Sequence, residues 1–300
     1  MVSLIIPSFN PVLKLPDTLN SLVSQTGFID ELILVIDHNH YDSFPKELIS
    51  KYQVIFNLVI IKQEDSGRAK SRNKGAEVSK GDLLIFLDDD MLVEDGLIEK
   101  HIRHHKNEGS LILTGNGYRN PKDANNDFGK FLVGMERPWR EKVKDIKNVT
   151  LDNFTFTACN MSIPRKVFME LGGFDVKFPD GEDFDFAVRA LLKSYVVKYD
   201  NSLIAWHNDW PVIDSFIRRQ AEYTKAKKII FEAHPEYIQH FSHMVPKTMT
   251  GMKKTVMKAL KGPLLWFVNS GNVIFASLPA NLKSVIYNYT IAFNTNSNND

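Results

Sequence analysis

The stretch Asp82-Leu83-Leu84-Ile85-Phe86-Leu87-Asp88-Asp89-Asp90 joins a short apolar run to three consecutive carboxylates. An apolar run with β-branched and aromatic members reads as a buried strand. Three adjacent acids at the mouth of a strand repel one another, which is costly unless positive charge sits among them. A solvated acidic turn meets that condition with counter-ions, and a bound divalent cation meets it with chemistry attached. Hard cations such as Mg²⁺ and Mn²⁺ take oxygen ligands, few of them from protein, and leave other positions to water and substrate phosphate. In open α/β sheets ligands collect beyond the carboxyl ends of the strands, where these acids would lie.

Upstream, apolar runs and helical spacings alternate. Val2 to Pro7 reads as a strand, and Leu13 to Gln25 carries helical spacing at Leu15, Leu19, Leu22 and Val23. Glu31 to Ile36 is a second strand closed by Asp37-His38-Asn39-His40, Phe44 to Tyr52 is helical, and Val54 to Ile61 contains a third strand. This alternation predicts an α/β fold with a parallel sheet. Its ligand edge would gather residues 7–10, 37–40, 67–73 and 88–90. Just before the acidic strand, Arg68, Lys70, Arg72 and Lys74 open a helix. Alone they describe a solvated helix face; beside a metal site, with the exposed N–H groups of a helix start, they suit a pyrophosphate.

Downstream, Gly96 to Asn107 reads as a surface helix whose His101, His104 and His105 are expected at the surface, and Leu111 to Gly115 as a strand. Asn120 to Arg140 is expected to be an acceptor-binding loop or an ordered surface excursion. Phe154 to Ile163 alternates like a strand, and Pro164-Arg165 opens a helix that closes at Gly172-Gly173. Glu182 and Asp183 then fall in the first turn of the next helix. That position favours carboxylates, so it explains them as end-of-helix acids, or as an ionised general base. Val196 to Tyr199 is a further strand, followed by residues 201–207.

The 300 residues, 43% hydrophobic, suffice for a substantial core. A formal net charge of +1 offers no global attraction to nucleic acid, and none is expected as a partner. Cys159 is the only cysteine, which excludes an intrachain disulfide framework and a cysteine-rich zinc site and fits a reducing, cytoplasmic setting. The N-terminus shows no signal-peptide pattern.

In this order the motifs resemble the large family of inverting, GT-A-fold, family-2-type glycosyltransferases that use nucleotide-diphosphate sugars, over roughly residues 1 to 210. The matching residues are Val2-Ser3-Leu4-Ile5-Ile6-Pro7-Ser8-Phe9-Asn10, Arg72-Asn73-Lys74-Gly75-Ala76, and Phe86-Leu87-Asp88-Asp89-Asp90 as the Asp-x-Asp metal motif. Asn160-Met161-Ser162, Gly172-Gly173-Phe174-Asp175, and Glu182-Asp183 with Asp185 and Arg189 complete the set. The resemblance implies a Rossmann-like, mainly parallel sheet flanked by helices. It implies that Pro7, Ser8 and Phe9 border the nucleoside, Phe9 by stacking on the base, and that Arg68 and Arg72 approach the donor. Asp88 and Asp89 would hold the donor, Asp90 would ligate Mn²⁺ or Mg²⁺ with Asp88 assisting, and His207 would add a metal or diphosphate contact or be a structural histidine. Asp183 would be the catalytic base, Glu182 would orient the sugars, and Asn160 and Trp206 would lie on the acceptor side. Relatives usually carry two acids after the second strand, whereas here the pair is Asp37-His38; a neutral imidazole still accepts a pyrimidine N3–H, so UDP is the first expectation. The partners implied are a nucleotide-sugar donor and a glycan or lipid-linked glycan acceptor. The competing readings are a nucleotidyltransferase that makes activated sugars, which would show a glycine-rich basic loop after the first strand, and a non-catalytic nucleotide- or sugar-binding module.

Residues 211–300 form a helical extension. Ile213 to Glu232 is a long helical pattern, and Lys247 to Lys261 sets Met249, Met252, Val256, Met257 and Leu260 against Lys253, Lys254, Lys258 and Lys261. Such a basic amphipathic helix suits an anionic membrane surface, here the inner face of the cell membrane, or a packed tail, and the former is favoured. Pro263 to Pro279 is too interrupted by polar residues to span a bilayer. Asn294 to Asp300 is expected to be a frayed end.

Overall fold

The structure, a computed structural model, describes residues 1–64, 67–107, 111–178, 180–246, 251–269 and 272–296, with the side chains of 107, 253, 254 and 296 excepted. It divides into two compact units: Met1–Arg119 with Arg140–Asp209, and Asn120–Trp139 with Trp210–Asp300.

The first unit is built on strands β1 (Val2–Ser8), β2 (Glu31–Asp37), β3 (Leu58–Gln63), β4 (Leu83–Leu87), β5 (Met91–Val93), β6 (Ile112–Thr114), β7 (Asn160–Pro164), β8 (Val197–Tyr199) and β9 (Ala205–His207). Seven form one sheet in the order β3-β2-β1-β4-β7-β6-β8. β1, β2, β3 and β4 are mutually parallel, and β7 runs antiparallel between β4 and β6. β5 and β9 pair separately as an antiparallel ribbon. Because side chains alternate across a strand, the continuous apolar runs feed both faces. Leu4, Ile6, Leu32, Leu34, Ile36, Ile85 and Leu87 enter one core, and Ile5, Ile33, Val35, Leu84 and Phe86 the other.

The parallel order puts the carboxyl ends of β1, β2 and β4 at one edge, so Ser8, Asp37 and Asp88 emerge there. Antiparallel β7 starts at the same edge, with Asn160 opposite Leu87. The third strand begins later than its apolar run suggests: Val54 ends up 89% exposed in the helix Lys46–Ile55. Of the alternating stretch Phe154 to Ile163, only the part from Asn160 is strand. Phe154 and Phe156 instead pack on Phe184 and Phe186, at 5.3 and 6.4 Å between ring centres.

In the second unit, Phe131, Leu132, Ile213, Phe216, Ile217, Phe275 and Tyr287 share a core of their own. The expected loop between Asn120 and Arg140 is largely the helix Asp127–Val143, whose Phe128, Phe131 and Leu132 have core-facing spacing. Helices Ile213–Ala233, Gly251–Asn269, Val273–Ser277 and Ala280–Asn296 also belong to the unit. Leu265, Phe267 and Val268 pack on its core. Asn294 is not frayed: it is buried and donates to the carbonyls of Lys261 and Thr290. Residues 247–250 and 297–300, the ends of two of the C-terminal expectations, lie outside the described residues. No described helix is long and apolar enough to cross a membrane.

Candidate active site

The helix Arg68–Val78 starts behind Gly67, whose φ of +129° excludes most side chains. Each residue of its central motif has a separate task. Arg72, 2% exposed, donates from Nη1 to Glu182 Oε1 and from Nη2 to Asp88 Oδ1, both at 2.5 Å. Burial alone would lower its pKa, and the two carboxylates more than reverse that, so the guanidinium stays charged. Asn73 accepts from the Phe174 N–H at 2.9 Å and donates to the Phe174 carbonyl at 2.8 Å. Gly75 lies against Ile5, where a Cβ would collide with the Ile5 side chain. The motif thus welds the helix to β1 on one side and to the Gly172-Gly173-Phe174 turn on the other.

That turn supports the second set of acids. Gly172 and Gly173 both hold left-handed φ values, +79° and +67°, at no steric cost. Arg189 donates to the carbonyls of Leu171 and Gly173 and to Asp185. Phe174 lies 4.9 Å from Phe186, within a cluster that includes Phe86 and Phe168. The helix Glu182–Leu192 is therefore fixed where its first turn meets Arg72. Its N-cap is Gly181, so neither acid caps it. Glu182 points into the buried bridge; burial raises its pKa against the pull of Arg72. Half-buried Asp183 accepts from the N–H groups of Phe184 at 2.8 Å and Ala158 at 3.4 Å.

The three consecutive acids face three different partners. Asp88 meets Arg72, and its N–H donates to the Cys159 carbonyl at 3.2 Å. Asp89 accepts from the Ser8 hydroxyl at 2.5 Å. Burial, with the charges of Asp90 and Asp88 adding and the Ser8 bond opposing, raises its pKa to about 7. Asp90 Oδ1 lies 3.2 Å from His207 Nε2, and Oδ2 lies 3.4 Å from Lys14 Nζ. Burial would raise the Asp90 pKa, and its interactions with His207 and Lys14 hold it well below the usual carboxylate range. In return Asp90 raises the pKa of His207 against the effect of burial. The pairing follows from the ribbon, in which His207 stands opposite Met91 and the Asn208 N–H donates to the Asp90 carbonyl at 2.7 Å.

Among the described residues no three His, Cys, Asp or Glu side chains converge as a ready metal cage. Asp90 and His207 nevertheless fit a divalent ion. Their donor atoms are 3.2 Å apart; neighbouring vertices of an octahedron with ~2.1 Å bonds are about 3 Å apart. Asp88, expected to assist, gives Oδ1 to Arg72.

The remaining expected residues sort by exposure. Phe9 is 64% exposed, edge-on to His40 at 4.7 Å, and available to a planar ligand beside Pro7 and Ser8. Asp37 is buried, its Oδ1 accepting from the N–H and amide of Asn39 and capping the short helix His38–Tyr41, while His38 is exposed. Arg68 reaches Asp180 at 3.6 Å. Arg72, expected to approach the donor, is enclosed between the Asp88 and Glu182 carboxylates. Trp206 donates from Nε1 to Glu94 at 2.9 Å and lies under Arg140.

Asn160, expected to meet the acceptor, is fully buried and donates to the carbonyls of Asn116 and Leu203, each at 2.9 Å. The histidines of the helix Leu97–Asn107 also differ from expectation. His101 is 0% exposed, between Asn160 Oδ1 at 2.9 Å and Ser162 Oγ at 2.8 Å, and His105 reaches the same Oγ at 2.8 Å. Because the Asn160 amide nitrogen donates elsewhere, its oxygen must accept from His101 Nε2–H. His101 Nδ1 then accepts from the Ser162 hydroxyl, which accepts in turn from His105 Nε2–H. His104 pairs with Asp200 at 2.7 Å.

Sequence reasoning missed Lys14, Thr18, Arg119 and Asp209. Lys14 Nζ is 2.7 Å from Asp209 Oδ1, Thr18 Oγ1 donates to the Asp89 carbonyl at 2.8 Å, and Arg119 Nε donates to the Asp209 carbonyl at 2.6 Å. Lys14 and Thr18 sit at the start of the helix Leu15–Ser21, and Arg119 and Asp209 come from far along the chain, so spacing carries no signal of their meeting.

Residues 3–172 match the family described as Glycosyl transferase family 2. An uncharacterized glycosyltransferase of Haemophilus influenzae is 27% identical over 200 residues, covering 66% of this chain and 65% of that protein. The chain thus spans somewhat under two thirds of that relative's length. Among solved structures, the mannosyltransferase PcManGT from Pyrobaculum calidifontis, in complex with GDP-Man and Mn²⁺, is similar with a TM-score of 0.62 at 16% identity, over 100% of this chain and 87% of that one. S. aureus TarS 1-349 in complex with UDP is similar with a TM-score of 0.58 at 14% identity, over 99% and 90%. These structural likenesses establish the GT-A fold, a seven-stranded, mostly parallel sheet flanked by helices with a helical C-terminal region. With more than half of its residues matched in the order of the motifs described above, the chain belongs to glycosyl transferase family 2.

Proposed function

We propose that the protein is an inverting glycosyltransferase that moves a sugar from a nucleotide-diphosphate sugar, UDP-linked in first preference, to an acceptor hydroxyl in polysaccharide or glycolipid assembly. The observation that carries this reading is the Arg72 bridge. One guanidinium holds the acid next to Asp89-Asp90 and the acid next to Asp183, so the two acidic motifs border one site.

In this reading the catalytic domain runs to about residue 210. Phe9 stacks on the base beside Pro7 and Ser8, His38 meets the base edge, and Arg68 meets the diphosphate. Asp90 and His207 are the residues that would hold Mn²⁺ or Mg²⁺; when bound, such an ion neutralises charge developing on a diphosphate leaving group. Asp183 takes the proton of the acceptor hydroxyl as its oxygen attacks the anomeric carbon opposite the departing diphosphate. General-base assistance of this kind contributes typically ~10²–10⁴-fold. One in-line displacement inverts the anomeric centre. Buried Glu182, fixed by Arg72, orients the catalytic helix, and Trp206 borders the acceptor. The Mn²⁺ and nucleotide-sugar complexes of the structural relatives support this class of donor.

The C-terminal unit supports attachment to an anionic membrane surface. Met252, Val256 and Leu260, spaced by four on the helix Gly251–Asn269, are exposed, as is Trp266, while Leu265, Phe267 and Val268 pack inward.

Thermal-shift screening of UDP and GDP with and without Mn²⁺ tests the donor site, and NMR of the transferred sugar tests inversion. Stabilisation by a nucleotide only when Mn²⁺ is present is expected; indifference to both nucleotides would remove the assignment.

A further inference from the structure

The most unusual charge in the site is neither an acid nor an arginine. Lys14 precedes the helix Leu15–Ser21, and its ammonium bridges Asp209 Oδ1 at 2.7 Å and Asp90 Oδ2 at 3.4 Å. Both of its partners are held by backbone contacts: the Asn208 N–H bonds the Asp90 carbonyl, and Arg119 bonds the Asp209 carbonyl. Thr18, one turn further along, ties the same helix to the Asp89 carbonyl. The lysine is thus placed by its helix, with a side chain only 33% exposed. Burial would lower its pKa, but the Asp209 bond and the two carboxylate charges raise it, so it stays cationic.

We propose that Lys14 is the resident counter-cation of Asp90, competing with the divalent ion for that carboxylate and making ion binding depend on the donor diphosphate. The inference rests on the reading of Asp90 and His207 as ion ligands. Asp90 has Oδ1 against His207 and Oδ2 against Lys14, so an arriving ion meets a carboxylate already neutralised and an ammonium of like charge a few ångströms away. Two protein ligands are also few for a hard cation, which draws its remaining contacts from water and phosphate. A diphosphate entering together with the ion supplies oxygen ligands and negative charge, and gives the displaced ammonium a new partner. Ion and nucleotide therefore bind with strong positive coupling, and Lys14 is the group that sets it. The arrangement also keeps the acids from repelling one another between turnovers.

The test is a Mn²⁺ titration of the full chain followed by the EPR signal of the free ion, with and without UDP or GDP, on wild type, Lys14→Gln and Lys14→Arg. Wild type should bind Mn²⁺ weakly alone and at least tenfold more tightly with nucleotide. Lys14→Gln should bind Mn²⁺ alone at least tenfold more tightly than wild type and lose most of the coupling. Lys14→Arg, which keeps the charge, should resemble wild type and guards against a merely structural effect. If Lys14→Gln binds Mn²⁺ alone no better than wild type while nucleotide-dependent binding persists in both, the inference is overturned and the site assignment stands. If no variant binds Mn²⁺ even with UDP or GDP, the assignment of the ion site falls and the inference with it.

Discussion

Asp88 and Glu182 hold opposite amino groups of the same buried guanidinium, each at 2.5 Å from Arg72. A planar fork can serve two carboxylates in fixed directions; a lysine ammonium cannot reproduce that geometry. Replacing Arg72 by Met should cost about 3–5 kcal/mol, because it leaves buried carboxylate charge uncompensated. Arg72→Lys should recover part of the stability and little of the transfer activity. Urea unfolding followed by circular dichroism, alongside a nucleotide-release assay, measures both.

The two acidic motifs should fail differently. Asp183→Asn should leave nucleotide binding with Mn²⁺ within about twofold of wild type and lower transfer by ~10²–10⁴-fold, the usual weight of a general base. Asp90→Asn should weaken Mn²⁺-dependent nucleotide binding itself. Calorimetric titration with UDP and Mn²⁺, paired with transfer rates, separates the two. Equal loss of binding in both variants would contradict the division of labour.

Acidification should loosen the histidine network before it affects ordinary carboxylates. Burial, the largest influence, holds His101 down to about 4, with the charge of His104 adding to the effect. Burial and the charges of His101 and His104 hold His105 down to about 3. Both are neutral in the fold, whereas in the unfolded chain they protonate below about pH 6.5. Between those values the unfolded chain binds more protons, so stability rises with pH and is lost as pH falls from 6.5 toward 4, by up to about 1.4 kcal/mol per pH unit for each histidine. Above pH 7 neither contributes a slope. Asp89, raised to about 7, acts in the opposite sense, so the informative quantity is the difference between wild type and His101→Gln. Urea midpoints at half-unit steps from pH 7.5 to 4.5 should show the variant with the shallower loss.

Ser162 is the hub of that network, donating to His101 and accepting from His105. Ser162→Ala should destabilise the fold by about 1–3 kcal/mol, since it leaves two buried ring nitrogens without their partner. Chemical denaturation at pH 7.5, where both rings are neutral, measures this apart from the protonation effect.

These histidines also show where the sequence was readable and where it was not. Apolar runs at Val2 to Pro7, Glu31 to Ile36 and Leu83 to Leu87 announce strands because burial on both faces leaves few polar positions to confuse the period, the buried Ser3 and Glu31 being bonded to each other. The acids and the Arg72-Asn73 motif were legible by spacing along the chain. Leu97, His101 and His105 share one face of their helix, so a signal of burial is present; the polarity of histidine masks it, and the polar partners on β7 lie far along the chain. Phe154 and Phe156 mimic strand alternation while serving an aromatic cluster. Lys14, Arg119 and Asp209 meet only through the register of the finished fold.

The ribbon of β5 and β9 pairs Met91 with His207 and Leu92 with Trp206. Successive residues of a strand look to opposite sides, so one inserted or deleted residue in either short strand would swap the two rings, turning the imidazole from Asp90 and putting the indole in its place. For this corner of the molecule the length of the segment is therefore as strict a requirement as the identity of His207 itself. A library that varies loop length there should lose ion affinity abruptly at a change of one residue, whereas point changes at Leu92 should alter it little.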